Sequence, residues 1–285
     1  MDIANKEKWY NKLFRILNSS ICFSLAYTIM TYGGYFAMGL VGKVFKFDAN
    51  IYYYGVRFLL NQNKWTKFKI TLIFTTYPFF ALIFGLLMLY LFSKIKEVRT
   101  VLNLFFVWCF VIGSSIFVSQ GLVATMGANE FNSPFYQHFS VVFAWWFMPP
   151  AFVYALNLPF IVLFLYFTIH YPKLFLRFSY SYSKVNKVSR RRKYFAEIAI
   201  VPFIIGSVAT TILTFPMNIF MHFVYLMFIS ISLIIGWVAL HYLEMMRDDV
   251  LRYRSLQQFN YFLLIAVILV MGYVVVTWRG IFLSL

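Results

Sequence analysis

Acidic residues are scarce in this chain: 9 Asp and Glu stand against 25 Lys and Arg in 285 residues, a formal net charge of +16. Charged residues of both signs make up only 12%, hydrophobic residues 62%, and mean hydropathy is +0.76, so there is too little polar surface to cover a water-soluble fold. Cysteine is almost missing. Cys22 and Cys109 both fall in long apolar runs, where they act as small apolar residues, and a disulfide framework is excluded. The sequence also lacks H-E-x-x-H, paired-cysteine, P-loop and G-x-S-x-G patterns, which removes support for the readily recognised zinc, nucleotide and serine-hydrolase sites. His138, His170, His222 and His241 never pair at metal-ligand spacing. No cofactor is expected, and the balance leans away from an enzyme.

What is present is a series of apolar runs of the roughly 20 residues a helix needs to cross a bilayer. The expected fold is an all-α polytopic membrane protein of about seven transmembrane helices, 1–285 forming one domain with no internal repeat, linker or soluble module. Six spans read directly, over 20–41, 70–92, 101–124, 197–215, 219–243 and 259–278. Between the third and fifth, 141–169 is longer than one straight span requires and is interrupted by Pro149 and Pro150. Proline removes a donor and clashes with the preceding turn, so a broken helix is expected there, either a half-helix before a full span or a sharp kink.

Charge placement orients the chain. Residues 1–19 form a basic amphipathic N-terminus, with Trp9, Leu13 and Ile16 set against Lys8, Lys12 and Arg15, and 8–17 reads as an interfacial helix. No small-residue cleavage site follows Cys22, so the segment reads as a retained anchor. Residues 171–196 carry Lys173, Arg177, Lys184, Lys187, Arg190, Arg191, Arg192 and Lys193 ahead of Glu197, the strongest cytoplasmic marker. The connection 125–140 has no Lys or Arg. These features place the N-terminus inside and the C-terminus outside, in what reads as a bacterial cytoplasmic (inner) membrane. One connection violates the rule, since 43–69 carries six basic residues yet falls outside. Its alternation of polar with apolar or aromatic residues suits strands at the interface, an interfacial β-like segment.

Positive charge could signal nucleic acid, but the basic residues sit at span ends, where orientation and anionic headgroups account for them. The expected partners are membrane lipids and other membrane protein subunits, with no nucleic acid. Candidate sites are an outer polar cluster of Glu130, His138 and His222, a lipid- or partner-contacting basic cluster of Arg190, Arg191, Arg192 and Lys193, and the break at Pro149 and Pro150. Each has a plainer reading: interfacial histidines satisfied by water or backbone, and a basic run that only orients the chain. Glu197, opening its span, reads as a first-turn carboxylate favoured by the helix dipole.

Thr31-Tyr32-Gly33-Gly34-Tyr35, then Gly42-Lys-Val-Phe-Lys-Phe47, a basic aromatic strand-like stretch and Tyr77-Pro78 opening a Leu-rich span follow one another in a telling order. That order resembles the site-2 intramembrane metalloproteases, in which H-E-x-x-H on the first core span is followed by a strand and by a G-P-like motif. Here Thr31 and Tyr32 stand for His and Glu, and Tyr35 for the second His; only Gly34 agrees. The resemblance therefore implies a relative without the zinc centre. The leading expectation for function is a non-enzymatic integral subunit or scaffold of a larger membrane assembly. The alternatives are a transporter or lipid-handling permease using the Pro149–Pro150 break, and a degenerate intramembrane-protease-like protein.

Overall fold

The computed structural model describes residues 9–52, 54–59, 64–94, 100–128, 133–179, 181–214, 219–243, 260–277 and 280–283. Among them, six helices are long and apolar enough to cross a membrane. Glu130, the turn at 216–218 and the mixed-charge segment at 244–254 lie outside the described residues.

The first helix, α1, runs unbroken over Trp9–Val44. Its 36 residues span about 54 Å, well beyond the roughly 30 Å hydrocarbon core. The interfacial helix expected over 8–17 and the span over 20–41 are thus one helix. The intervening polar residues do not break it because they are buried and bonded: Ser20 donates to the Ile16 carbonyl at 2.8 Å and Ser19 to the Ile198 carbonyl at 2.6 Å. A Schellman turn ends α1, with Phe47 N–H on the Gly42 carbonyl, Lys46 N–H on the Lys43 carbonyl, and Lys46 in the left-handed region at φ 62°. The buried Phe47 that follows anchors the exit.

The chain then makes an antiparallel hairpin, β1 (Asp48–Tyr52) and β2 (Gly55–Leu59), with Tyr52 opposite Gly55. Ala49 and Ile51 point inward and their neighbours outward, the period-2 pattern expected of a strand. A third strand, β3 (Ile281–Leu283), was not legible in the sequence. It pairs antiparallel with the free side of β1, giving the order β2-β1-β3.

Next come α2 (Lys67–Lys94) and α3 (Thr100–Gly127), an antiparallel pair in close contact. A Cβ on Gly113 would overlap the Ala81 carbonyl, so only glycine lets the two backbones approach this far. Helix α3 is the most enclosed span; Trp108, a third of the way along it, packs on Phe23 and Phe175 and donates to Ser19 at 3.0 Å.

A short helix, α4 (Phe139–Trp145), precedes α5 (Pro150–Leu176), with Pro149 and Pro150 at the join. The basic segment carries α6 (Val188–Phe195), which passes through a π-turn at Ala196–Ile200 into α7 (Val201–Thr214). Helices α8 (Ile219–Ala239) and α9 (Tyr261–Thr277) complete the bundle. Asn260 N–H meets Asn18 near the start of α1, and β3 meets β1 just past its end, so α9 runs alongside and parallel to α1. The bundle therefore has a basic end, with α6, and a sheet end, with β1–β3. Large apolar side chains on α5, α7, α8 and α9 face outward, as a lipid environment requires.

Candidate functional site

Helix α4 is the element that builds the most distinctive interior. His138, immediately before it, stacks on Tyr77 of α2 at 4.3 Å and 13° and is buried. Tyr77 lies ten residues into α2, about 15 Å along the helix from its first residue. Phe139 packs on Phe79 and Phe117, whereas Trp146 beyond the other end of α4 donates to Thr71 at 2.8 Å and lies beneath the Lys67 ammonium. The chain thus dips from the end of α3 to the level of Tyr77 and climbs back to the level of Lys67 before α5 begins. Such a re-entrant segment survives at membrane depth only under protein cover, and residues 139–143 are all buried. Both flanks sit at positive φ, His138 at 48° and Phe147 at 51°, a conformation that side-chain-bearing residues adopt only under constraint.

The stack continues through Tyr35 of α1, 4.8 Å from Tyr77. Tyr225 of α8 also stacks near Tyr77, at 6.3 Å, and its hydroxyl accepts from the Gln120 amide of α3. A second polar link joins α1, α7 and α8. Tyr27 meets His222 Nδ1 at 2.7 Å, His222 Nε2 meets Thr211 at 2.8 Å, and the Thr211 hydroxyl meets the Ser207 carbonyl at 2.7 Å. With a neutral ring the Tyr27 hydroxyl donates to Nδ1, the Nε2 proton goes to Thr211, and Thr211 donates onward, the tautomer protonated on Nε2.

His138 is different. Among the described residues neither of its ring nitrogens, nor the Tyr77 hydroxyl, has a hydrogen bond of normal geometry. The ring does lie beside the carbonyl of Phe74. That carbonyl is the one deprived of its helical donor by Pro78, four residues on.

Of the expected outer cluster, only the two histidines fall among the described residues. His138 and His222 both point into the bundle, joined to it through different tyrosines, and Glu130 lies outside the described residues. At the positions compared with a zinc motif, Thr31 donates to the Tyr27 carbonyl of its own helix, Tyr32 packs on Tyr273 of α9, and Tyr35 is in the stack. No group of three His, Cys, Asp or Glu able to hold a metal ion occurs among the described residues.

Glu197 does not open a helix. It sits in the π-turn, where its carboxylate takes the Arg15 guanidinium at 2.5 Å and the Lys12 ammonium at 3.1 Å. Arg15 is fully enclosed and also lies over the Tyr194 ring. Of the basic cluster, Arg191 donates to the Leu243 carbonyl and Arg192 lies 4.5 Å over Trp237, both serving the fold. Arg190 donates to Ser183 at 2.8 Å yet stays exposed, as does Lys193. Pro149 and Pro150 stand at the N-terminus of α5, level with the sheet end of the bundle, rather than at its middle. No family model, curated protein or solved structure matches the chain.

Proposed function

We propose that this chain is a non-enzymatic integral-membrane subunit or scaffold, crossing a bacterial cytoplasmic membrane seven times with its basic end in the cytoplasm. Helix α9 supplies the seventh crossing; its 17 residues cover about 26 Å, nearly the hydrocarbon thickness. The observation that carries the functional reading is the buried Tyr35–Tyr77–His138 stack. In the order α1, hairpin, α2, Tyr35 stands where the resemblance to site-2 proteases would put the second histidine of the zinc motif, and Tyr77 and His138 pack against it. Tyrosine and a lone histidine cannot supply a neutral-imidazole ligand set with a carboxylate base. Without a reaction centre, the role this reading leaves to the bundle is to hold other membrane chains.

Native mass spectrometry of the protein extracted from its own membrane in mild detergent tests this directly. Stoichiometric partner subunits are expected. A lone chain or homo-oligomer carrying a defined small molecule would overturn the scaffold reading.

One observation favours a second reading, a permease. Tyr27, Tyr35, Tyr77, Gln120, His138, His222 and Tyr225 gather uncharged polar groups inside the bundle behind a re-entrant segment, the kind of midplane constellation found where transporters hold substrates. In that case the substrate would be an uncharged hydrogen-bonding molecule, and the Tyr77→Phe, His138→Phe double variant would abolish its uptake into proteoliposomes while leaving the fold intact.

A further inference from the structure

The four consecutive basic residues at 190–193 do not act as one patch. Arg191 and Arg192 turn into the fold, onto the Leu243 carbonyl and the Trp237 ring. Lys187, just before α6, and Arg190 and Lys193 within it remain exposed. Across from them on α1, Lys12 is about half exposed while touching Glu197, one turn beyond Lys193. Among the described residues the carboxylate at this end, Glu197, is already committed to Arg15 and Lys12, so their outward charge is positive.

The surroundings of these cations are apolar. On the α1 side Trp9 and Leu13 are exposed beside Lys12. On the other side α6 continues through the π-turn into α7, whose Ile204, Ile205, Val208 and Ile212 are exposed. Ile204 and Ile205 lie eleven and twelve residues past Lys193, about three turns further along the same continuous rod. Exposed cations therefore stand at the end of a rod whose continuation is apolar and outward-facing.

We propose that Lys12, Lys187, Arg190 and Lys193 form a binding site for an anionic phospholipid, its phosphate held by the cations and an acyl chain lying along the exposed stripe of α7. The cations supply charge complementarity to the phosphate, and the stripe distinguishes a lipid from a free anion. The site is independent of the function proposed above.

The full chain, reconstituted in nanodiscs of equal phosphatidylglycerol and phosphatidylcholine and released into the gas phase, should retain phosphatidylglycerol preferentially. The Lys187→Gln, Arg190→Gln, Lys193→Gln variant should lose that preference, by about fivefold for each cation removed. Lys46→Gln, Lys64→Gln, Lys67→Gln, at the sheet end, should keep it. An unchanged preference in the α6 variant, or an equal loss in the sheet-end variant, would overturn the site. Full displacement of phosphatidylglycerol by inorganic phosphate would instead assign the cations to a free anion and overturn the lipid reading. Should the triple variant fail to yield monodisperse protein, Lys187→Gln and Lys193→Gln taken singly decide the matter by the same ratio.

Discussion

Arg15 and Glu197 are 182 positions apart in the chain and meet at 2.5 Å inside the bundle. The pair ties the first turns of α1 to the π-turn that leads into α7, and the same carboxylate accepts Lys12. A buried charge left without its partner is strongly destabilising, while a well-packed apolar replacement of the whole pair is often neutral. Arg15→Ala is expected to lower stability by about 3 kcal/mol, and Glu197→Gln similarly. The Arg15→Met, Glu197→Leu double variant should recover most of the loss. Thermal unfolding in detergent measures all three; a double variant as damaged as the sum of the singles would contradict the pairing.

His138 stacks well but bonds poorly. Phe in its place keeps the ring on Tyr77 and removes two buried nitrogens, so His138→Phe is expected to be neutral or stabilising. His138→Ala should cost about 3 kcal/mol through lost stacking and an unfilled space. If Phe proves as harmful as Ala in the same melting assay, the imidazole makes a hydrogen bond that the fold or function needs.

Gly113 and Gly272 are both helical glycines with opposite surroundings. A Cβ on Gly113 meets the Ala81 carbonyl, whereas one on Gly272 meets nothing within 4 Å. Gly113→Ala should therefore destabilise by about 1–3 kcal/mol, and Gly272→Ala should be harmless or slightly stabilising. Equal effects would show that α2 and α3 are not in tight contact.

The sheet predicts a protease phenotype. Replacing Ile281-Phe282-Leu283 by Gly-Ser-Gly strips β1 of one neighbour while leaving the helices untouched. Trypsin should then cut at the exposed Arg57 several times faster, with the melting temperature of the bundle little changed. Unaltered cleavage would separate β3 from the stability of the hairpin.

Orientation can be read with cysteine chemistry, because Cys22 and Cys109 are fully buried and should stay silent. A maleimide is expected to label Ser189→Cys from the cytoplasmic side and Lys64→Cys from the opposite side. Labelling of both from one side would refute the seven-crossing topology.

Much of this architecture could be read from the sequence, because hydropathy and proline act locally. The apolar runs gave helices, and the alternation within 43–69 gave strands where charge alone would have argued against an outer loop. Other features are contacts between distant segments and leave no local trace. The π-turn around Glu197 has no compositional mark, so its carboxylate looked like a helix-start residue although it is bound to Arg15. Asn18-Ser19-Ser20 looked like a boundary, yet buried hydrogen bonds carry α1 straight through. His138 was visible as a candidate, but its partner Tyr77 was not. The one available hint was Pro78, which frees the Phe74 carbonyl beside which the imidazole comes to lie. Glu130 remains outside the described residues, so the outer cluster is resolved only at its two histidines.

The central strand of the sheet has a consequence for how the protein is made. Strand β1 leaves the ribosome long before β3, and one of its two neighbours lies only a few residues away. The other, β3, is separated from β2 by more than two hundred positions. Until α9 has entered the membrane, β1 therefore presents a bare row of backbone donors and acceptors beside the bilayer, a template that any passing extended segment can pair with. Closure of that edge is a late event of biogenesis, and during the interval before it the chain is most open to a chaperone or to a wrong partner.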